Sequence, residues 1–211
     1  SSVRGIVSLV RRFEREFDRA KRQRRILDFG DLEHRMLDLL WSKSRSGITA
    51  TAKELGLRFR EIMVDEYQDS NAVQDAIFSA LTVHRGNCFM VGDVKQSIYQ
   101  FRLADPGIFL EKYHSYLPAD EAKAGEGRKV MLSRNFRSGG AVLAGVNDVF
   151  RLCMSPKVGG LVYGEEEALV EGIPHEPLGE PEVELCTIAV QEATYPEEAA
   201  CVAGKIHELL D

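Results

Sequence analysis

The 211-residue chain is predicted to have an α/β fold, with a parallel sheet flanked by helices and additional helical segments. Two short apolar runs, residues 62–64 and 88–91, have the continuous apolar character of strands that are covered on both faces. The segment between these runs has the apolar spacing of a helix. A strand, a helix and a second strand in this order predict a right-handed crossover, so both strand ends should open on the same sheet edge.

The composition is that of a globular chain with a buried core, because 44% of its residues are hydrophobic. No apolar stretch has the length of a membrane span, and the four scattered cysteines form no zinc or disulfide pattern, which favours a reducing cytoplasm. The net charge of -6 argues against a uniformly basic nucleic-acid binder. The start of the chain lacks an initiator Met and a signal-peptide pattern, which favours a segment excised from a longer protein.

The first part of the chain is predicted to be helical. Residues 3–20 carry apolar side chains at close to helical spacing, so we expect an amphipathic helix whose apolar face belongs to the core. Its basic residues either follow a phosphate backbone or form a solvated face. Asp28, with Asp31 three residues later, forms a capping-box pattern that predicts a second helix ending near Trp41. After a polar loop, a short helix over 52–57 leads to the first strand.

The helices around the second strand are predicted from their first residues. Asn71, with Gln74 three residues later, opens a helix that reaches about Val83. After the second strand, Asp105 is a predicted N-cap and Pro106 occupies the first helical position. These signals place the crossover helix between the two strands and a further helix after them.

The segment 118–127 has almost no core-forming side chain, so we expect a linker there. This interpretation divides the chain into a first domain over 1–117 and a second over 128–211. The elements predicted for the second domain are a strand over 130–132, a helix with Val142, Leu143, Val146, Val149 and Phe150 as its buried face, an irregular connection over 155–181, a strand over 183–190 and a helix over 196–210.

Two adjacent acids, Asp65 and Glu66, follow the first strand directly. Ligands bind beyond the carboxyl ends of parallel strands, where these side chains emerge. One carboxylate there could hold Mg²⁺ while the next orients or deprotonates a water in phosphoryl transfer. The alternative is an acidic turn that caps the helix beginning near Asn71, and for a lone Asp-Glu pair it is at least as common.

Polar and aromatic side chains follow the second strand. Gln96 could hydrogen-bond a phosphate or a water, and Tyr99, Phe101 and Arg102 combine aromatic rings with a cation. Bases of single-stranded DNA stack on such rings with about 1 to 3 kcal/mol per base. Taken alone, an aromatic and Arg-containing loop more often serves packing. Likewise, Arg137 after the strand over 130–132 suggests either a phosphate contact or a helix-entry ion pair.

Three segments together carry a family resemblance: VDEYQD at 64–69, VGDVKQSIYQFR at 91–102 and LSRNFRS at 132–138. In this order they resemble motifs II, III and IV of the superfamily 1 UvrD/Rep-like DNA helicases. Within that superfamily, the segments LDFGDLEH at 27–34 and FLEKY at 109–113 are most similar to the AddA family, the helicase and nuclease subunits of bacterial AddAB recombination complexes. The resemblance implies RecA-like P-loop NTPase halves.

The resemblance also implies roles for individual residues, with ATP and Mg²⁺ as cofactors. Asp65 would bind Mg²⁺ and Glu66 would activate the hydrolytic water. Gln96 would sense the γ-phosphate, and Arg137 would reach the same phosphate from the second RecA-like domain. The remaining implied contacts are those of Phe136 with adenine and of Tyr99, Phe101 and Arg102 with single-stranded DNA.

One departure from the family pattern matters. The chain contains no G-x-x-x-x-G-K-[ST] sequence, which forms the phosphate-binding loop of P-loop NTPases. We therefore expect an internal segment of an ATP-dependent helicase and nuclease acting on single- and double-stranded DNA, with an AddB-like partner subunit, no membrane association and no activity in isolation. The alternatives are a non-catalytic module that binds DNA or a partner, and a UvrD-type helicase without a nuclease.

Overall fold

The fold is taken from a computed structural model that describes residues 2–83, 86–99, 101, 103–176, 182–189 and 195–210. The chain divides into two compact units, Ser1–Met131 and Leu132–Asp211. The predicted linker over 118–127 lies inside the first unit, between strands β3 (Leu117–Pro118) and β4 (Arg128–Lys129), which pair in parallel. The division into domains over 1–117 and 128–211 stays a prediction.

The first unit contains five α-helices in its described part, and three of them begin at the predicted N-caps, Asp28, Asn71 and Asp105. The side chain of Asp28 accepts a hydrogen bond from the Asp31 backbone N–H, and the Asp31 side chain accepts one from the Asp28 N–H, so the capping box is confirmed. Asn71 and Gln74 form the second capping box. The helices are α1 (Ser2–Arg24), α2 (Phe29–Leu40), α3 (Ala50–Arg58), α4 (Ala72–Thr82) and α5 (Pro106–Ser115).

The predicted strand, helix and strand unit is confirmed. Strand β1 (Ile62–Val64) and strand β2 (Cys88–Met90) pair in parallel, with Ile62 opposite Cys88 and Val64 opposite Met90. Helix α4 connects them. The pairing continues past the strand ends, because the Val91 N–H donates to the Val64 carbonyl at 2.9 Å. Both carboxyl ends therefore open on one edge of the sheet.

A small buried cluster of Leu40, Ala52 and Ala80 joins α2, α3 and α4. Trp41 ends α2, and its indole N–H donates to the Ala76 carbonyl on α4 at 3.0 Å. Gly56 lies against the Leu81 carbonyl so closely that no side chain would fit between them. The three helices thus form one packed cluster in the first unit.

The expectation that the apolar face of α1 is buried is wrong for the described chain. Helical spacing fixes which side chains share a face, but it does not supply the surface that covers them. Lys21, near the end of α1, donates to Asp31 at 2.7 Å and to Asp28 at 3.0 Å, so α1 is joined to the α2 capping box by charged groups. The exposed apolar residues of α1 include Val3, Ile6, Val7, Val10, Phe13 and Phe17.

The second unit contains α6 (Gly140–Cys153) and α7 (Tyr195–Leu210), as predicted, although Val142 and Val149 of α6 are exposed. The helical spacing of α7 predicts an inward face that is also exposed, made of Ala199, Val202, Ala203, Ile206 and Leu209. The prediction of a strand over 130–132 is wrong, because these residues do not pair with another segment. The residues that follow them do: β5 (Arg134–Asn135) pairs in parallel with β6 (Val170–Glu171). Residues 183–189 form no strand, and Val190 lies outside the described residues. Across the described ranges, the strands form three two-stranded parallel pairs instead of one larger sheet.

No helix in the part of the chain that the structure describes is both long and apolar enough to cross a bilayer.

Candidate functional site

The candidate site begins at the end of β1, where Asp65 and Glu66 are both exposed. The Asp65 Oδ1 accepts a hydrogen bond from the Glu66 N–H at 2.9 Å. Glu66 adopts the left-handed conformation with φ 49°, which costs about 1 to 3 kcal/mol for such a residue and is common at functional sites. This turn reverses the chain, so that the Tyr67 N–H donates to the Val91 carbonyl at 2.8 Å.

Gln68 fills the space between the two strand ends. Its side chain is 1% exposed. The Nε2 atom donates to the Glu66 Oε2 at 2.7 Å, and the Oε1 atom accepts from the Asp93 N–H at 3.0 Å. The buried amide is therefore satisfied at both ends, as buried polar groups must be, and it connects the segment after β1 with the segment after β2.

Gly92 permits this close approach. A Cβ atom at this position would lie 2.7 Å from the Gln68 Oε1 and 3.1 Å from the Gln68 N. The Gln68 Oε1 is held by its hydrogen bond from the Asp93 N–H, and the Gln68 N belongs to the backbone, so neither can easily yield to a larger side chain. The glycine is required here by contact between the two strand ends.

Asp93 organises the turn that carries Gln96. Its Oδ1 caps the short 3₁₀ helix Val94–Gln96 by accepting from the Lys95 N–H at 3.0 Å, and it pairs with the Lys95 ammonium at 2.8 Å. Its Oδ2 accepts from the Gln96 Nε2 at 3.0 Å. Gln96 is exposed, so its amide is held by Asp93 on one side and is accessible to solvent on the other.

The loop that follows Gln96 returns to the segment after β1. Tyr99 and Phe101 are 39% and 76% exposed, and their ring centroids lie 5.9 Å apart at an interplanar angle of 44°. The loop ends where the Asp105 N–H donates to the Ser70 carbonyl at 3.0 Å. Arg102, predicted to lie near DNA, falls outside the described residues.

Tyr67 anchors the turn after β1 to the helices behind it. The Tyr67 hydroxyl donates to the Asp75 Oδ1 on α4, and the Lys112 ammonium on α5 pairs with the same oxygen at 3.0 Å. The Tyr67 ring packs between Phe78 and Phe109. Burial raises the pKa of Tyr67, and its bond to Asp75 adds to this effect, so the hydroxyl stays a donor.

Asp69 is an acid of the site that lacks a complete set of partners among the described residues. Its Oδ1 is buried and has no hydrogen-bond partner there. Burial raises the pKa of Asp69, and the charge of Glu66 raises it further. Both effects disfavour the charged form of the Asp69 carboxyl group.

The second unit holds Phe136 and Arg137. The Asn135 Oδ1 accepts from the Arg137 N–H at 2.8 Å and from the Ser138 N–H at 2.9 Å, which fixes the turn after β5. The Phe136 ring lies over Gly172, where a Cβ would come within 2.5 Å of the ring. Both side chains are exposed, and the guanidinium forms no ion pair with a described residue.

The Asp65 and Glu66 carboxylates fit a magnesium ion bound chiefly through water and phosphate. Magnesium prefers oxygen ligands and is usually held by one or two carboxylates together with substrate phosphates. Within the described ranges, the Asp65 Oδ2 makes no hydrogen bond, and no group of three or more His, Cys, Asp or Glu side chains converges. These two carboxylates thus suit a magnesium ion that takes its remaining ligands from water and from the phosphates of a bound nucleotide.

A family model for the UvrD/REP helicase N-terminal domain matches residues 7–117, which is more than half of the 211 residues. The chain belongs to the UvrD/REP helicase family. The resemblance stated from the sequence is thereby confirmed, and membership implies a RecA-like α/β fold, of which this UvrD/REP helicase chain shows small parallel pairs and flanking helices.

Several proteins, each named as the A subunit of an ATP-dependent helicase/nuclease, are similar to this UvrD/REP helicase chain, which confirms the predicted likeness to AddA. The protein from Moorella thermoacetica is 46% identical over 96% of the chain and 14% of its own length. Those from Bacillus licheniformis and Clostridium kluyveri are 42% and 38% identical, each over 99% of the chain and 18% of its own length. The chain thus spans about a sixth of the length of these relatives.

Sequence reasoning brought Asp65, Glu66 and Gln96 to one sheet edge, and the structure places all three there, in the first unit. Phe136 and Arg137 belong to the second unit. Gln68 was missed as a member of the site of this UvrD/REP helicase. The sequence signal was a polar residue two positions after Glu66. The structure shows that this residue folds back into a buried position.

Proposed function

We propose that this chain is the central segment of an ATP-dependent DNA helicase and nuclease, which couples ATP hydrolysis to movement on single-stranded DNA in double-strand break repair and recombination. The single observation that carries the proposal is the joining of two strand ends: Gln68 bridges Glu66 and the Asp93 backbone, and Asp93 in turn holds Gln96. The carboxylate pair and the polar turn therefore act as one unit.

In this proposal Asp65 holds Mg²⁺, which when bound neutralises charge on the ATP phosphates. The Glu66 carboxylate orients a water and accepts its proton as the water oxygen attacks the γ-phosphorus; the bond from the γ-phosphorus to the β,γ-bridging oxygen breaks, and ADP and phosphate leave. The exposed Gln96 amide contacts the γ-phosphate. Arg137 contributes its guanidinium to the same phosphate, and Phe136 lies against the adenine.

The DNA contact is assigned to the loop after Gln96. Tyr99 and Phe101 are exposed rings at the surface of a loop whose end is bonded to Ser70, close to the carboxylates. Exposed aromatic rings bind bases without sequence preference. Arg102 supplies a phosphate contact in the proposal. The double-stranded substrate and an AddB-like partner subunit belong to the longer protein, which we place in the bacterial cytoplasm.

We propose the domain bounds that the sequence predicts. Residues 1–117 belong to a first RecA-like domain, residues 118–127 form a linker, and residues 128–211 are the start of a second RecA-like domain. The 211-residue chain has no P-loop sequence, and the backbone nest and Lys of that loop hold the β- and γ-phosphates. By itself the chain is therefore expected to be inactive.

The experiment that tests the DNA contact replaces Tyr99 and Phe101 by Ala in the longer protein. Each change should weaken binding of single-stranded DNA by about 1 to 3 kcal/mol, because a stacking surface is lost. The salt dependence should stay the same, since stacking releases no counterions. Titration of a fluorescent oligonucleotide at several salt concentrations measures both quantities.

Phe29→Ala is the matched control, because Phe29 is an aromatic residue of the same unit that is 86% exposed and lies outside the loop. Its affinity for DNA should equal that of the wild type. Unchanged affinity in the Tyr99→Ala, Phe101→Ala double variant would remove both rings from the DNA site. Retained DNA binding without any ATP hydrolysis by the longer protein would favour a non-catalytic binding module.

A further inference from the structure

We propose that Gln68 is a positioning residue for ATP hydrolysis, which holds the Glu66 carboxylate in register with the turn that carries Gln96. The inference rests on the proposed function, because it needs Glu66 to act on the attacking water. It concerns a residue that makes no contact with ATP, metal or DNA itself, since its side chain is 1% exposed.

The orientation of the Gln68 amide is dictated by its partners. The Asp93 backbone N–H is only a donor, so it requires the amide oxygen, Oε1, at 3.0 Å. The Glu66 carboxylate is only an acceptor when ionised, so it requires the amide nitrogen, Nε2, at 2.7 Å. A single side chain with one donor end and one acceptor end meets both demands, which neither a carboxylate nor an ammonium could do.

The bond to Glu66 restricts an exposed carboxylate that is otherwise free to rotate. Among the described residues, the hydrogen bond from Gln68 is the only one that the Glu66 carboxylate accepts. A bond between a neutral donor and a charged acceptor is stronger than one between neutral groups. Gln68 therefore fixes one carboxylate oxygen and leaves the other, Oε1, for the water.

The bond to Asp93 extends this control to the second strand end. Asp93 holds the Gln96 Nε2 through its Oδ2 at 3.0 Å, and the loop beyond Gln96 carries Tyr99 and Phe101. The same loop closes on the turn after β1, through the Asp105 N–H and the Ser70 carbonyl. A shift of the loop on binding DNA can thus be transmitted to Glu66 through a short series of covalent and hydrogen bonds, in which Gln68 is the central residue.

The test uses two variants of Gln68 in the longer protein. Gln68→Met keeps the volume and removes both hydrogen bonds. We expect it to lower kcat for ATP by about ten- to a hundredfold, which is the loss of one oriented hydrogen bond to a charged group. KM for ATP should change little, because the binding contacts remain, and the ratio of DNA-stimulated to basal rate should fall.

Gln68→Glu separates the two bonds. When ionised, its carboxylate still accepts from the Asp93 N–H, but it has no donor for Glu66 and adds a like charge beside it. We expect kcat to fall at least as far as in Gln68→Met, and the ratio of DNA-stimulated to basal rate to fall as well, because the route from the loop to Glu66 is cut at its Glu66 end. KM for ATP should change little, whereas a residue that only supports the fold would lose ATP binding and turnover together.

Gln74→Met is the matched control. Gln74 also donates to a carboxylate, the Glu33 Oε1 at 2.8 Å, and accepts from a backbone N–H, that of Asn71 at 3.3 Å, but it lies in the α4 capping box. Its kcat should equal that of the wild type.

Two results would overturn the inference: a wild-type kcat in Gln68→Met, or an equal loss of ATP binding and turnover, which indicates a merely structural role. A Glu66→Gln variant run in parallel separates the two proposals. If the wild-type longer protein hydrolyses no ATP, the proposed function itself fails, and if Glu66→Gln hydrolyses ATP normally, the role of Glu66 within that function fails. If Glu66→Gln is inactive and Gln68→Met is normal, only the role of Gln68 fails.

Discussion

Replacing Glu66 by Gln in the longer protein should lower the rate of ATP hydrolysis by about 10²- to 10⁴-fold, the usual contribution of a positioned general base. The amide cannot accept the proton of the attacking water. Affinity for ATP should persist, because Asp65 keeps its carboxylate and the Glu66 side chain keeps its size. Single-turnover hydrolysis and equilibrium nucleotide binding measure the two effects separately.

Asp38→Asn is a suitable control for this change, since Asp38 is an exposed acid of the same unit that pairs with Arg45 outside the site. Its rate should equal that of the wild type. The 211-residue chain serves as a blank, because without a P-loop sequence it should hydrolyse no ATP. Near-normal turnover by Glu66→Gln would remove Glu66 from its assigned role, and turnover by the short chain that depends on Glu66 would refute its expected inactivity.

Replacing Arg137 by Lys should lower hydrolysis and translocation together, by about 10²- to 10³-fold, while much of the nucleotide and DNA binding remains. A planar guanidinium grips two phosphate oxygens at once, which an ammonium cannot do. The largest part of this contribution comes as charge develops in the transition state. Steady-state ATPase rates and a strand-displacement assay on the same preparation measure both activities.

The matched control is Arg134→Lys, which makes the same exchange at an exposed arginine of β5, three residues earlier. We expect both activities of Arg134→Lys to stay at the wild-type level. Normal hydrolysis by Arg137→Lys would remove Arg137 from the γ-phosphate. Loss of translocation with intact hydrolysis would also contradict its place at the γ-phosphate.

Local signals predicted the elements that surround the site. The two capping boxes, at Asp28 and at Asn71, depend on residues only three positions apart, so the sequence contains the whole interaction. The parallel pairing of β1 and β2 followed from their continuous apolar character and the helix between them. This pairing alone brings Glu66 and Gln96 to the same edge.

The errors arose where the outcome depends on distant partners. A run such as residues 130–132 is apolar enough for a strand, but a strand exists only where another segment bonds to its backbone, and here the pairing falls on the residues to either side. The face of α1 was predicted from spacing that says nothing about what covers it. Gln68 was missed because its role depends on two hydrogen bonds to residues that follow different strands, Glu66 after β1 and Asp93 after β2.

The central claim is that the two carboxylates after β1 and the loop after β2 are coupled, so that DNA binding to the loop changes the rate of ATP hydrolysis. The Gln96→Ala variant tests this claim most directly. ATP hydrolysis by the longer protein is measured with and without saturating single-stranded DNA, for the wild type and for Gln96→Ala. We predict that part of the basal rate persists in the variant while stimulation by DNA falls, because the side-chain hydrogen bond from Gln96 to Asp93 is lost in the loop that carries Tyr99 and Phe101. Full stimulation in Gln96→Ala would contradict this claim.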